Sequence, residues 1–151
     1  MSRFQGDPAI RITPNGASMT FKGGQPVTDG GLENYVIISL GTLPGWWGNY
    51  LTNDPNKKIG SNFSRPRVHV DVKTVNDITD DAKLALKAMT DSRIASKIDI
   101  AVTNPRTDEI QTAITIYPPG QDVRKLLFTR NGLNWIAQAL DPAHGRLPNV
   151  I

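Results

Sequence analysis

The sequence predicts an α+β domain in which an N-terminal hairpin and a C-terminal meander form a mainly antiparallel sheet, with two or three helices packed on it. Three features carry this expectation. Short alternating apolar runs flank Asn15-Gly16, helical spacing fills much of residues 28–92, and alternation returns from residue 96. Strands and helices segregated along a chain fit helices laid on one antiparallel sheet better than an alternating parallel one. The 151 residues fit a single domain, and a chain of that size can bury roughly 68–70% of its unfolded surface. The domain is expected over residues 1–140, with an extended tail over 141–151.

Residues 9–22, AIRITPNGASMTFK, read as a hairpin turned at Pro14-Asn15-Gly16, because Asn-Gly supplies the positive φ angles of a tight turn. The following GGQPVTDGG, residues 23–31, lacks the Gly-Lys-Ser/Thr ending of a phosphate loop and reads as a polar connection. From Thr28 or Asp29, either able to cap a helix, Leu32, Tyr35, Val36, Ser39, Leu40 and Leu43 recur at helical spacing until Pro44 ends the run. A loop then extends to about residue 66.

A second helix is expected over residues 78–92, with Ala82, Ala85, Leu86 and Met89 inward. Asp80 and Asp81 would sit in its first turn, where the helix dipole favours negative charge. Ile98, Ile100 and Val102, then Ile110, Thr112, Ile114 and Ile116, alternate as an antiparallel pair with one buried face. Residues 122–129 extend the meander. Leu133, Ile136, Ala137 and Leu140 fit a short helix, although Asn131-Gly132 could equally turn a hairpin; the helix is preferred.

Composition excludes several functions. There are no cysteines, so neither a disulfide scaffold nor a thiolate metal site is available, which suits a reducing compartment. The longest apolar runs, such as VIISL at 36–40, fall far short of the roughly 20 residues of a membrane-spanning helix. The start MSRFQGDP has no apolar signal core, so no targeting peptide is expected.

A net charge of +3 and a pI near 9.3 raise a nucleic-acid reading. Lys57, Lys58, Arg65, Arg67 and Lys73 carry most of the excess, with Phe63 the only aromatic among them. That is a thin footprint for a phosphate track, and a solvated loop or protein contact fits better.

Catalytic constellations are missing from the pattern. His69 and His144 lie far apart without ligand spacing, no serine sits in a Gly-x-Ser-x-Gly elbow, and the carboxylates fall in turns and helix starts. No cofactor or metal is expected, and an enzyme is disfavoured.

The most distinctive stretch is LPGWWGNY, residues 43–50. Adjacent side chains of an extended segment point apart, so Trp46 and Trp47 cannot both face the nearest core. One is expected to anchor under the first helix; its neighbour covers the loop or projects toward a partner.

The succession TDGGLENYVIISL, GWWGN, KKIGSNF, an Ala-rich helix and a strand ending YPPG resembles the Mu-type baseplate protein family of contractile-tailed phages, similar in role to sheath-initiator wedge proteins. The match covers about residues 9–128, and Gly-Trp-Trp-Gly followed by Ile59-Gly60-Ser61 is its most specific part. Three departures stand out. Asn49 replaces an aspartate, the loop before the tryptophans is short, and the chain after about residue 130 runs longer.

The resemblance implies a non-catalytic virion component, assembled in the host cytoplasm in multiple copies of a sixfold baseplate. It would touch wedge proteins, the tail sheath subunit and the tube or hub, with no nucleic acid and no membrane. An open strand edge of the meander would accept a sheath arm by β-augmentation. The expected partner-binding residues are Trp46, Trp47, Ile59, Leu126, Phe128, Leu147, Val150 and Ile151, the last three in a tail ordered on a neighbour. The alternative suggested by the same setting is a small lysozyme-like cell-wall hydrolase.

Overall fold

The computed structural model describes residue 8 and residues 10–13, 15–19, 21–26, 32–67, 70–131, 134–141 and 145–146. The expected α+β class is what the chain adopts. Strands β1 (Ile10–Thr13) and β2 (Gly16–Met19) form the N-terminal hairpin, and β3 (Phe21–Lys22) and β4 (Gln25–Pro26) a second, smaller one. Helices α1 (Leu32–Gly41) and α2 (Val72–Asp91) follow, and then β5 (Lys97–Arg106), β6 (Glu109–Tyr117), β7 (Arg124–Asn131), β8 (Asn134–Asp141) and the short β9 (Gly145–Arg146).

The main sheet runs β2-β1-β8-β7-β6-β5, with β9 also pairing β8. The hairpin from the start of the chain thus extends the meander from its end. The meander is antiparallel throughout, and alternation sets which face is buried. Ile110, Thr112, Ile114 and Ile116 of β6, Leu126, Phe128 and Arg130 of β7, and Ala137 of β8 are buried, while Ile98, Ile100 and Val102 of β5 pack partly against them.

Helix α2 lies on this face through Ile78, Ala82, Leu86 and Met89, and α1 adds Val36, Ile37 and Leu40. Each of the larger side chains, fully removed from water, stabilises by about 1.5–3 kcal/mol, and Ala82 by less. The opposite face of the meander, with Ala101, Ala113 and Lys125, is open to solvent.

Several expectations are corrected. Residues 134–141 form a strand, because pairing with β7 from Lys125↔Leu140 to Asn131↔Asn134 satisfies their main chain. Trp135 and Ala137 then face the core, with the Trp135 ring 4.8 Å from that of Phe63. The helical spacing of 133, 136, 137 and 140 was coincidental, and the Asn131 hairpin is the realised alternative.

Helix α2 starts earlier than expected. Asp71 caps it, accepting the Thr74 N–H at 2.7 Å, which leaves Asp80 and Asp81 in mid-helix. In the first hairpin the positive φ falls on Gly16 (+117°) and not on Asn15. The supposed plain connection at 23–31 contains the β3–β4 hairpin, and Thr28 and Asp29 lie outside the described residues. Of the expected tail, Gly145–Arg146 pairs with β8, and residues 147–151 lie outside the description.

Two outcomes test this account. Thr112 is fully buried on the core side of β6, and its hydroxyl finds no hydrogen-bond partner among the described residues. Thr112→Val should raise unfolding free energy by about 1 kcal/mol in a denaturant titration. The Thr74 hydrogen bonds, its backbone N–H first, hold the Asp71 carboxyl below its ordinary range. A lowered folded value means that the cap contributes fully above the unfolded pKa, about 3.9, and is lost as pH falls through the folded one. Amide exchange at Thr74 and Val75 should therefore accelerate, relative to the helix centre, as pH falls below about 4.

Candidate functional site

Between the helices, the described residues of 42–71 belong to no sheet, and their main-chain groups must be satisfied by turns and side chains. Helix α1 closes as Thr42 returns both its N–H and its hydroxyl to the Ile38 carbonyl, at 3.0 and 2.7 Å. A turn through Pro44 and Gly45 leads to a short 3₁₀ helix, Trp47–Leu51.

The carboxamide of Asn49 holds this loop. Its Nδ2 donates to the Ile59 carbonyl at 2.6 Å, and its Oδ1 accepts the Ile59 N–H at 2.9 Å. One side chain thus imitates a strand partner for a residue ten positions away. Gly60 follows at φ +133°, where a Cβ would stand 3.0 Å from the Leu43 carbonyl oxygen and 3.1 Å from Pro44 Cα. No other residue fits that approach without moving backbone.

Ser61, itself buried, donates its N–H to the Thr42 carbonyl at 2.8 Å and accepts the Phe63 N–H on its hydroxyl at 2.9 Å. Phe63 is then driven into the core against Phe128 and Trp135. Arg67 completes the fastening with a 2.6 Å ion pair to Asp81, and its carbonyl accepts from the buried Arg130 at 2.7 Å. Burial, then the nearby Arg67 charge, lowers the pKa of Arg130.

Against this fixed base the apolar side chains turn outward. Leu43 is 48% exposed, Trp46 41%, Trp47 68%, Tyr50 87% and Leu51 77%. The two indoles touch at 5.7 Å between centroids, and the Trp46 ring lies over Gly48, where any Cβ would overlap it. Several large apolar side chains exposed within one short segment are characteristic of interaction sites.

The expected residues fare differently. Trp46 and Trp47 come together, but neither anchors the core; Trp135 and Phe63 occupy that place. Ile59 is half-buried, with its main chain engaged by Asn49. Leu126 and Phe128 are core residues on β7, which is flanked by β6 and β8. Their side chains cannot meet a partner, and β7 offers no open edge. Leu147, Val150 and Ile151 lie outside the described residues, as do His69 and His144.

Sequence reasoning missed Tyr50, Leu51 and Asn49. Their signal was present, since Tyr50 follows Trp47 at 3₁₀ spacing, and an asparagine next to a glycine in a turn-rich segment is a main-chain mimic in waiting.

A second feature is an open polar cleft lined by Asn62, Arg65, Arg67, Asp77, Asp80 and Asp81. Asp77 pairs with Lys73 and Asp81 with Arg67, both at 2.6 Å. These pairs also engage two of the five cations, Arg67 in the loop and Lys73 on α2, that would have formed a phosphate track. Among the described residues no three His, Cys, Asp or Glu side chains are placed to hold a metal ion. Comparison with known proteins finds no matching family model, curated protein or solved structure.

Asn49→Asp tests the clamp. A carboxylate keeps the acceptor but opposes the Ile59 carbonyl, so stability should drop by about 1–2 kcal/mol. Protonation restores a donor, so the deficit should shrink in acid, as read by denaturation at several pH values. Loss that is equal at all pH values would remove the donor role.

Proposed function

We propose that this chain is a structural component of a contractile-tail baseplate that links wedge and tube to the first sheath ring and acts without a catalytic step. The observation that supports it best is the braced apolar loop at 43–51. Five large side chains are exposed on a loop that carries the Gly-Trp-Trp-Gly of the resemblance, and Asn49, where this chain departs from the family's aspartate, clamps that loop to Ile59 of Ile-Gly-Ser. Aromatic side chains presented on a rigid base are the usual energetic centres of protein interfaces. In this reading the loop meets a wedge neighbour, and the chain is a virion protein present in several copies per sixfold baseplate, requiring neither nucleic acid nor membrane.

The growth template in this reading is the outer edge of β5. The strand ends the sheet and pairs with β6 alone among the described strands. Lys97, Pro105 and the register break between Thr103 and Arg106 guard its ends, which are the devices by which edges avoid indiscriminate pairing. Residues 98–103 remain as the segment on which an extended sheath arm would add a strand, main-chain bonds supplying affinity and alternate side chains the register.

Hydrogen exchange on the full chain with and without purified sheath subunit is the test. Amides of β5 should slow by about tenfold or more on addition, and class averages of tail particles should place a tag on this chain at the first sheath ring. Unchanged β5 exchange removes the template; absence of the tag from particles removes the baseplate.

A further inference from the structure

The exposed loop is bordered by an excess of positive charge. Across residues 43–58 the ionisable acidic and basic side chains are Asp54, Lys57 and Lys58. Asp54 is engaged locally, its Oδ1 accepting the Asn56 N–H at 2.9 Å to cap the turn Pro55–Lys57. Lys57 and Lys58 are exposed and form no ion pair among the described residues.

The clamp brings these cations to the aromatic surface. Ile59, next to Lys58, is bound at both main-chain groups by Asn49, which is next to Tyr50 and two residues from Trp47. In a 3₁₀ helix residues three apart are eclipsed, so Trp47 and Tyr50 project from the same side of their turn. The surface is therefore an apolar ridge with a basic shoulder, set in place before any partner arrives.

We infer that this ridge docks into an apolar groove on a second protein whose rim carries carboxylates. Trp47, Tyr50 and Leu51 fill the groove, and Lys57 and Lys58 meet the rim. The inference rests on the reading of the loop as a partner surface and adds the chemistry of that partner. A fixed ridge loses little freedom on docking, which favours a shaped protein groove. A fluid bilayer gains nothing from such rigidity, and anionic lipid is usually held by clusters of about four to eight basic residues. Opposite charges around a buried apolar centre select the partner and speed encounter.

The test places the photo-crosslinking residue p-benzoylphenylalanine at Tyr50 of the full chain, with an unchanged melting temperature as the folding control. Cells producing the chain are irradiated and the adducts sequenced by mass spectrometry. The expected adduct is a protein segment with apolar residues flanked by Asp or Glu.

Reversing those carboxylates to lysine should weaken binding by about tenfold or more, and Lys57→Glu with Lys58→Glu should restore it. Adducts to lipid, adducts to a basic or uncharged segment, a charge swap without rescue, or the absence of any intermolecular adduct would each overturn the inference. An acid-rimmed groove on a protein foreign to tails would instead leave the docking chemistry standing and remove the baseplate reading.

Discussion

A connection without a sheet or long helix has to find partners for every main-chain group it takes out of water, and residues 42–71 are organised by that demand. Asn49 provides for Ile59, Thr42 for Ser61, and Arg130 for the carbonyl of Arg67. With those groups satisfied, Phe63 can enter the core and join the loop to the sheet. Long connections in small domains are uncommon unless they serve a function. Here the same bonds that make the connection tolerable also fix the aromatic side chains on its outer side.

Much of the architecture was legible because burial writes its period into the chain. The alternation of Ile110, Thr112, Ile114 and Ile116, and the spacing of Ala82, Leu86 and Met89, led directly to β6 and α2. The strand β8 was not legible in the same way. Leu133, Ile136, Ala137 and Leu140 satisfy a helical template, and only pairing across the hairpin with β7, which a helical period does not reveal, decides for the strand. The start of α2 was hidden for a related reason: its first turn, after the Asp71 cap, contributes solvent-facing residues such as Val72 that carry no apolar period.

The candidate site was legible in its location but not in its geometry. Two adjacent tryptophans in a Pro/Gly-rich segment mark an unusual surface, yet sequence alone assigned one of them to the core. What displaced it is Trp135, from the opposite end of the chain, stacked on Phe63. Asn49 was read as a lost aspartate, whereas its amide supplies a donor that a carboxylate lacks. Leu126 and Phe128 looked available only while the place of β7 in the strand order was unknown; an interior strand with an inward-facing Leu and Phe is core by construction.

The pairing of β1 with β8 joins Ile12 to Ala137, residues far apart in the sequence, in one sheet. A growing chain therefore cannot complete that sheet until β8 has been made, and the edge of β1 that β2 leaves free must wait for it. Contacts of such long sequence separation are slow to close. Synthesis order thus builds a late step into maturation: β2 stays at the periphery, and the domain becomes whole only when its last long strand arrives between β7 and the waiting hairpin.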